Sequence, residues 1–237
     1  MSSQDGFRDL DAVGTLAEPT RRAIYEFVVG AGTWVGRDRV AEALGLERGT
    51  AAHHLDRLAT DGLLEFEFRR LSGRRGPGAG RPAKLYRRAA GDFHVSLPPR
   101  DYLLAGRLLA AAADRAHAEN IDIVTALDDV AGAEGRRLGE AIRADLGKAR
   151  TVRSDRRRTA VLAALEAHGF EPRIADDGTI ELANCPFHLL AQDHTELVCG
   201  MNRCLLDAAV VEVGDTGLEA RLEPEDGRCC VTLHPKR

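Results

Sequence analysis

Three short helical patterns, closed by glycines, dominate the first third of this sequence. Pro19 suits the first turn of a helix and opens a segment whose apolar residues recur at helical spacing. Similar patterns cover Arg37–Leu44 and Arg48–Asp61, and Gly45 with Leu46 leaves only a tight turn between them. Three helices with such a turn between the second and the third predict a helix-turn-helix.

A β-hairpin with a long basic tip is predicted to follow these helices. Residues 63–70 alternate apolar and charged side chains, residues 72–82 are rich in glycine and proline, and Leu85 and Tyr86 begin a return strand. Eight Lys and Arg residues and no acidic residue lie in Phe68–Ala89. Acidic residues prevail in the later part of the chain, so a basic wing on an acidic body predicts a partner rich in phosphate.

The third helix and the wing supply the candidate contacts to DNA. If Ala51, Leu55 and Leu58 face the core, the opposite helix face is polar, and Thr50 and His53 suit base edges in a major groove. The alternative is an ordinary solvated helix face and loop. The candidate DNA-binding residues are Arg48, Thr50, His53, His54, Arg57, Arg74, Arg75, Arg81 and Lys84.

The remaining chain predicts a helical segment and then a small mixed domain, so the expected fold class is α+β. Two helices are expected over Asp101–Glu119 and Ile123–Ala144, and the second carries glycines at near-helical intervals. These glycines fit either a crowded helix pair or a dimer interface. Residues 1–17 are expected to be a frayed polar lead-in. The predicted domains are a winged helix-turn-helix (1–95), a helical dimerisation linker (96–153) and a cysteine-containing sensor domain (154–237).

All five cysteines lie between residues 185 and 230. An odd number in a chain without an evident secretory signal disfavours a disulfide framework. Thiolates are soft ligands for zinc or iron–sulfur clusters, and wide spacing without a C-x-x-C pair favours a cluster held between loops over a zinc ribbon. His188 and His194 could complete a site. The alternative is that the cysteines are buried small hydrophobic residues.

The first third of the chain resembles the ArsR-like winged-helix regulators. The resemblance rests on the segments Leu16–Arg22, Val40–Leu46, His53–Leu58 and Gly80–Tyr86. It implies a homodimer that binds a palindromic operator in double-stranded DNA. The helix cysteines of the arsenic-sensing members are missing, because no cysteine precedes Cys185.

The order of the domains and the cysteine segments also resemble the SufR-type repressors, which sense an iron–sulfur cluster. The segments concerned are Asn184–Phe187, Val198–Asn202 and Arg228–Val231. The resemblance implies that Cys185 and Cys199 are the first two ligands and that the third is Cys229 or Cys230. Cys204 matches nothing in the pattern.

These observations predict a DNA-binding transcriptional regulator, expected to be a repressor, whose cysteines hold an iron–sulfur cluster. Zinc, thiol oxidation or a small molecule are alternative signals for the same regulator. A cysteine-dependent enzyme is the alternative from another class, and only Cys185 and His188 form a nearby thiol–imidazole pair. We therefore predict no enzymatic activity. No apolar run is long enough for a bilayer, so a cytoplasmic protein without a membrane partner is expected.

Overall fold

A computed structural model of the 237-residue chain describes residues 3–70, 82–147, 152–225 and 227–236. The chain divides into two compact units, Gln4–Val95 and Ser96–Arg237. Each unit has its own hydrophobic core. The helical segment 96–153 and the segment 154–237 contribute to one and the same core.

The first unit contains helices and short strands in the order α1(Ser3–Thr15), α2(Pro19–Ala31), β1(Val35–Gly36), α3(Arg37–Leu44), α4(Arg48–Thr60), β2(Leu64–Arg69) and β3(Ala83–Arg88). Glu18 caps α2 by accepting hydrogen bonds from the backbone N–H groups of Thr20 and Arg21. Gly45 ends α3 in a left-handed conformation (φ 64°), which glycine adopts at no steric cost. The chain therefore turns into α4 within three residues.

The core of this unit lies between the helices and a three-stranded antiparallel sheet of order β1-β3-β2. Ile24 of α2, Val40 of α3 and Leu55 and Leu58 of α4 are completely buried. In the sheet, Phe66 pairs with Tyr86 and Phe68 pairs with Lys84. Strand β1 was not predicted, since only two residues form it.

Helix α1 corrects the expected polar lead-in. Ala12 and Thr15 of this helix are buried, and the Thr15 hydroxyl donates a 2.5 Å hydrogen bond to Asp61 Oδ2 beyond the end of α4. Of residues 9–15, only Ala12 and Thr15 are buried, so this stretch shows little apolar periodicity.

The second unit combines five helices with a four-stranded sheet in its described part. The order is α5(Tyr102–Glu119), α6(Ile123–Leu146), α7(Ser154–Ala167), β4(Pro172–Ile174), β5(Ile180–Leu182), α8(His188–Asp193), α9(Thr195–Val213), β6(Leu218–Leu222) and β7(Val231–Pro235). The sheet is antiparallel, with the order β4-β5-β7-β6. The chain is therefore an α+β protein. No described helix combines the length and the apolar character needed to cross a membrane.

Two glycines of α6 allow it to pack unusually close to α9. A Cβ atom on Gly135 would overlap the carbonyl oxygen of Leu205, and one on Gly139 would lie 2.5 Å from Glu212 Cβ. Gly132 has no such contact with α9. Of the two interpretations of these glycines, Gly135 and Gly139 fit the crowded helix pair, within a single chain.

Candidate functional site

The α4 surface consists of the exposed side chains of Arg48, Thr50, His53 and Arg57. It lies opposite Ala51, Leu55 and Leu58, which are completely buried. The predicted division of this helix into a core face and a polar face is therefore correct.

Both arginines of the α4 surface pair with acidic residues of their own unit. Arg48 binds Asp38 of α3 through two contacts, with Nη2 2.8 Å from Oδ2 and Nε 2.6 Å from Oδ1. Arg57 Nε donates to Asp61 Oδ2 at 2.8 Å. The Arg48–Asp38 pair is solvent-exposed, and such pairs contribute only about 0–1 kcal/mol, so phosphate could replace Asp38 at low cost. The Asp61 side chain is only 14% exposed and also accepts from Thr15.

Lys84 of the hairpin binds α4 through Asp56. Lys84 Nζ lies 2.5 Å from Asp56 Oδ1, and the Tyr86 hydroxyl donates to the same oxygen at 2.7 Å. Partial burial alone would raise the pKa of Asp56, but the hydrogen bonds from Lys84 and Tyr86 outweigh it and lower the pKa. Burial, followed by the neighbouring Asp56 carboxylate, raises the pKa of Tyr86. The Asp56 contacts hold the hairpin against the helix.

The other predicted DNA contacts differ in their accessibility. His54 is half-buried, with Nδ1 3.4 Å from Arg21 Nε and 3.8 Å from Glu18 Oε2. Burial lowers the pKa of His54, which favours the neutral imidazole. His54 thus has protein neighbours at the start of α2. The predicted wing-tip residues Arg74, Arg75 and Arg81 lie outside the described residues.

An exposed aromatic pair lies on the hairpin face that carries Lys84. Phe66 and Phe68 are 48% and 61% exposed, and their rings meet edge to face with centroids 5.9 Å apart. Lys84 Nζ lies 3.9 Å from the Phe66 centroid. The alternation of residues 63–70 predicts that Leu64, Phe66 and Phe68 share one face, and of these three only Leu64 is buried.

The cysteines of the second unit lie on three separate segments. Cys185 follows β5, Cys199 and Cys204 lie on α9, and Cys229 and Cys230 precede β7. The backbone N–H of Cys229 donates to the carbonyl oxygen of Leu182 at 2.8 Å, which brings this segment beside the end of β5. Cys185, Cys199 and Cys229 are buried, and all five cysteines are free thiols.

Four of these thiols form what we call the thiol cluster: Cys185, Cys199, Cys229 and Cys230. They lie as two neighbouring pairs, Cys185 with Cys229 and Cys199 with Cys230. Cys204 contacts Asp128 of α6 instead. Burial and then the Cys230 thiol raise the pKa of Cys199 to about 12.

Cys185 is the thiol that most readily ionises. The S–H of Cys229 donates to it and lowers its pKa to about 7, against the opposing effect of burial, and the Phe187 N–H and the charge of Arg100 act in the same direction as Cys229. The hydrogen bond to Cys185, together with burial, raises the pKa of Cys229. The contact between the two thiols therefore favours ionisation of Cys185 over ionisation of Cys229.

The loop that carries Cys185 is held by buried hydrogen bonds. Asn184 Nδ2 donates to the carbonyl oxygens of Pro99 at 2.9 Å and Gly169 at 2.5 Å. Arg100 donates to Asn184 Oδ1 and to the Cys185 carbonyl oxygen, the latter at 3.1 Å. Such satisfied buried networks fix a loop in one conformation.

Asn202 contacts the thiol cluster and was not among the residues predicted from the sequence. It lies one turn after Cys199 on α9 and is 1% exposed. Its Nδ2 donates to Cys229 Sγ at 3.3 Å, whereas its Oδ1 has no partner among the described residues. In the sequence, the one feature that could have indicated Asn202 is an amide side chain in the largely apolar stretch 197–211.

Thiolates are the donors that both zinc and iron–sulfur clusters prefer. Within the described residues, no three Cys, His, Asp or Glu side chains converge to hold a single metal ion. A zinc ion needs all its thiolates about 2.3 Å from one centre. An iron–sulfur cluster takes its thiolates on several iron atoms.

Two histidines and one cavity lie in the same part of the second unit as Cys185. His188 and His194 are exposed, whereas the Cys185 thiol is buried. A cavity of about 190 Å³ borders Phe170 and Phe187. It is smaller than the roughly 300–1,000 Å³ of usual ligand pockets.

Comparison with protein-family models, with curated proteins and with solved structures gives no match for this chain.

Proposed function

We propose that this protein is a DNA-binding transcriptional regulator with a winged helix-turn-helix in residues 1–95. The observation that carries the proposal is the α4 surface. A tight turn at Gly45 joins α3 to a helix that is fully buried on one face and presents Arg48, Thr50, His53 and Arg57 on the other. This geometry suits insertion of α4 into a major groove.

In this proposal the side chains of the α4 surface contact different parts of the DNA. Thr50 and His53 reach base edges, and Arg48 and Arg57 exchange their carboxylate partners for phosphate or guanine. The Asp56 contacts with Lys84 and Tyr86 keep the hairpin at a fixed distance from α4, so that the wing follows the same duplex.

We further propose that the regulator is a homodimeric repressor that senses its signal through the thiol cluster. The four thiols would hold an iron–sulfur cluster, which supplies redox-sensitive and oxygen-sensitive chemistry when bound. The chain itself contributes a Cys185 thiolate, a loop fixed by Asn184 and Arg100, and burial that excludes water. Loss of the group would change the population of DNA-binding conformations.

A second candidate signal is thiol oxidation at the same residues. It is favoured by the hydrogen bond between Cys185 and Cys229, because a thiolate beside a thiol is the arrangement from which a disulfide forms when an oxidant is present. Iron, sulfide and thiol analyses of anaerobically purified protein distinguish the two signals.

The α4 surface is tested by selecting duplexes from a random library and measuring retention by fluorescence anisotropy. We expect His53→Glu and Arg48→Glu to weaken binding by more than tenfold and to leave the circular dichroism spectrum unchanged. Arg156→Glu, an exposed change on α7, is the matched control for net charge and should bind like wild type. Equal binding by all four proteins would contradict the proposal.

A further inference from the structure

The Oδ1 atom of Asn202 is a buried acceptor without a partner in the described part of the chain. Buried amide oxygens are nearly always hydrogen-bonded, because removing one from water without compensation is costly. Asn202 is 1% exposed, so bulk solvent does not supply the missing bond. Its surroundings are the thiol cluster and the core around α9.

The position of the amide relates the unpartnered oxygen to the thiols. Asn202 follows Cys199 by three residues, so both lie on one face of α9. Its Nδ2 donates to Cys229 Sγ at 3.3 Å and so contacts the second thiol pair. The amide thus lies beside two of the three segments that carry the proposed ligands. Its donor group has a partner, and its acceptor oxygen has none among the described residues.

The chemistry of a thiolate-bound metal group accounts for both ends of this amide. Thiolate and sulfide sulfurs accept hydrogen bonds, which the Nδ2 group supplies. An acceptor oxygen, in contrast, needs a cation or a hydrogen-bond donor. Metal atoms held by the thiols would provide the cation, and a water bound to them would provide the donor.

We propose that Asn202 is an additional residue of the thiol cluster, whose Oδ1 contacts the bound metal group directly or through one water and whose Nδ2 holds Cys229. The inference rests on the proposed cluster function and adds an oxygen donor to a site otherwise made of thiols. Asn184, the other buried asparagine of this region, differs because its amide is fully engaged by Pro99, Gly169 and Arg100.

The test uses the full chain with Asn202→Leu, and Met201→Leu as a matched control at the neighbouring buried position of α9. Each protein is reconstituted anaerobically with ferrous iron and sulfide, and the rate of iron removal by a chelator is followed. We expect wild type and Met201→Leu to release iron alike and Asn202→Leu to release it roughly 10–100-fold faster, as is usual for residues that support metal ligands.

The metal-free proteins give a second, independent readout. Removing an unpartnered oxygen relieves a cost, so the urea midpoint of metal-free Asn202→Leu should equal or exceed that of wild type. If leucine prevents folding, Asn202→Ala removes the same amide without adding bulk, and the same faster release is expected.

The outcomes separate this inference from the proposed function. Wild type that takes up no iron and sulfide would contradict the cluster and Asn202's role together. Wild type that takes up the group, with Asn202→Leu and Asn202→Ala releasing it at the wild-type rate, would overturn only the role of Asn202. A large drop in the midpoints of metal-free Asn202→Leu and Asn202→Ala alike would overturn the inference, because it would mean that Oδ1 has a partner without the metal group.

Discussion

Replacement of Gly135 by alanine tests the close contact between α6 and α9. The added Cβ would overlap the carbonyl oxygen of Leu205 and lie 2.9 Å from Ala208 Cβ. Neither neighbour is the free end of a flexible side chain, so relief requires movement of one helix backbone. Because α9 also carries Cys199 and Asn202, such a movement reaches the thiol cluster.

The expected magnitude follows from two opposing effects. Overpacking a tight core costs typically about 1–3 kcal/mol, and contact with backbone favours the upper end. Alanine in a helix interior gains about 1 kcal/mol over glycine. We therefore expect Gly135→Ala to reduce the free energy of unfolding by about 2 kcal/mol.

Two other glycines provide controls for the propensity effect alone. A Cβ on Gly106 of α5 would meet no atom within 4 Å, and one on Gly132 would meet only the end of the Arg136 side chain at 3.5 Å. Both Gly→Ala variants should be as stable as wild type or up to about 1 kcal/mol more stable. Urea unfolding followed by circular dichroism measures all three. A Gly135→Ala protein as stable as Gly106→Ala would refute the close packing.

Two further predictions concern ionisation. In metal-free protein, alkylation of Cys185 should reach its half-maximal rate near pH 7, and Cys229→Ala should move that midpoint upward because the S–H donor is lost. Mass spectrometry of peptides measures the alkylation of Cys185 against pH, and an unchanged midpoint would contradict the pairing. The lowered pKa of Asp56 implies stability that is present above the ordinary carboxyl pKa and is lost as the pH falls through the folded-state value. Asp56→Asn should therefore unfold with a weaker acid dependence than wild type, and identical pH profiles would argue against the contacts with Lys84 and Tyr86.

The helices of the first unit follow from local signals. Pro19 opens α2, Gly45 ends α3, and the apolar spacing of Leu55 and Leu58 fixes the inner face of α4. Each signal acts within a few residues, so the sequence alone predicts the bounds closely. Helix α1 was not predicted, because its contacts, such as that of Thr15 with Asp61, join residues far apart in the sequence.

The arrangement of the thiols depends on contacts that no spacing encodes. The pairing of Cys185 with Cys229 requires the Cys229 segment to bind the end of β5 through Leu182. The sequence predicts which residues have thiol chemistry, but not that they meet as two pairs. In the same way Asn202 is an ordinary helical residue until the position of Cys229 is known.

The sequence could not decide whether the glycines of α6 pack against a helix of the same chain or of a second copy. Small residues at helical spacing predict a close helix approach, but not the partner helix. In the folded chain Gly135 and Gly139 pack directly against α9. A homodimer remains a prediction, and it would need a surface other than these two positions.

We propose above that the thiol cluster controls DNA binding by the α4 surface. It is tested most directly by one titration, in which a duplex selected from a random library is bound by anaerobically reconstituted protein and by the same protein after removal of iron. We predict that the two affinities differ by tenfold or more and that His53→Glu abolishes the tighter binding. Equal affinities of the loaded and iron-free protein, or no duplex retained by either, would contradict the claim.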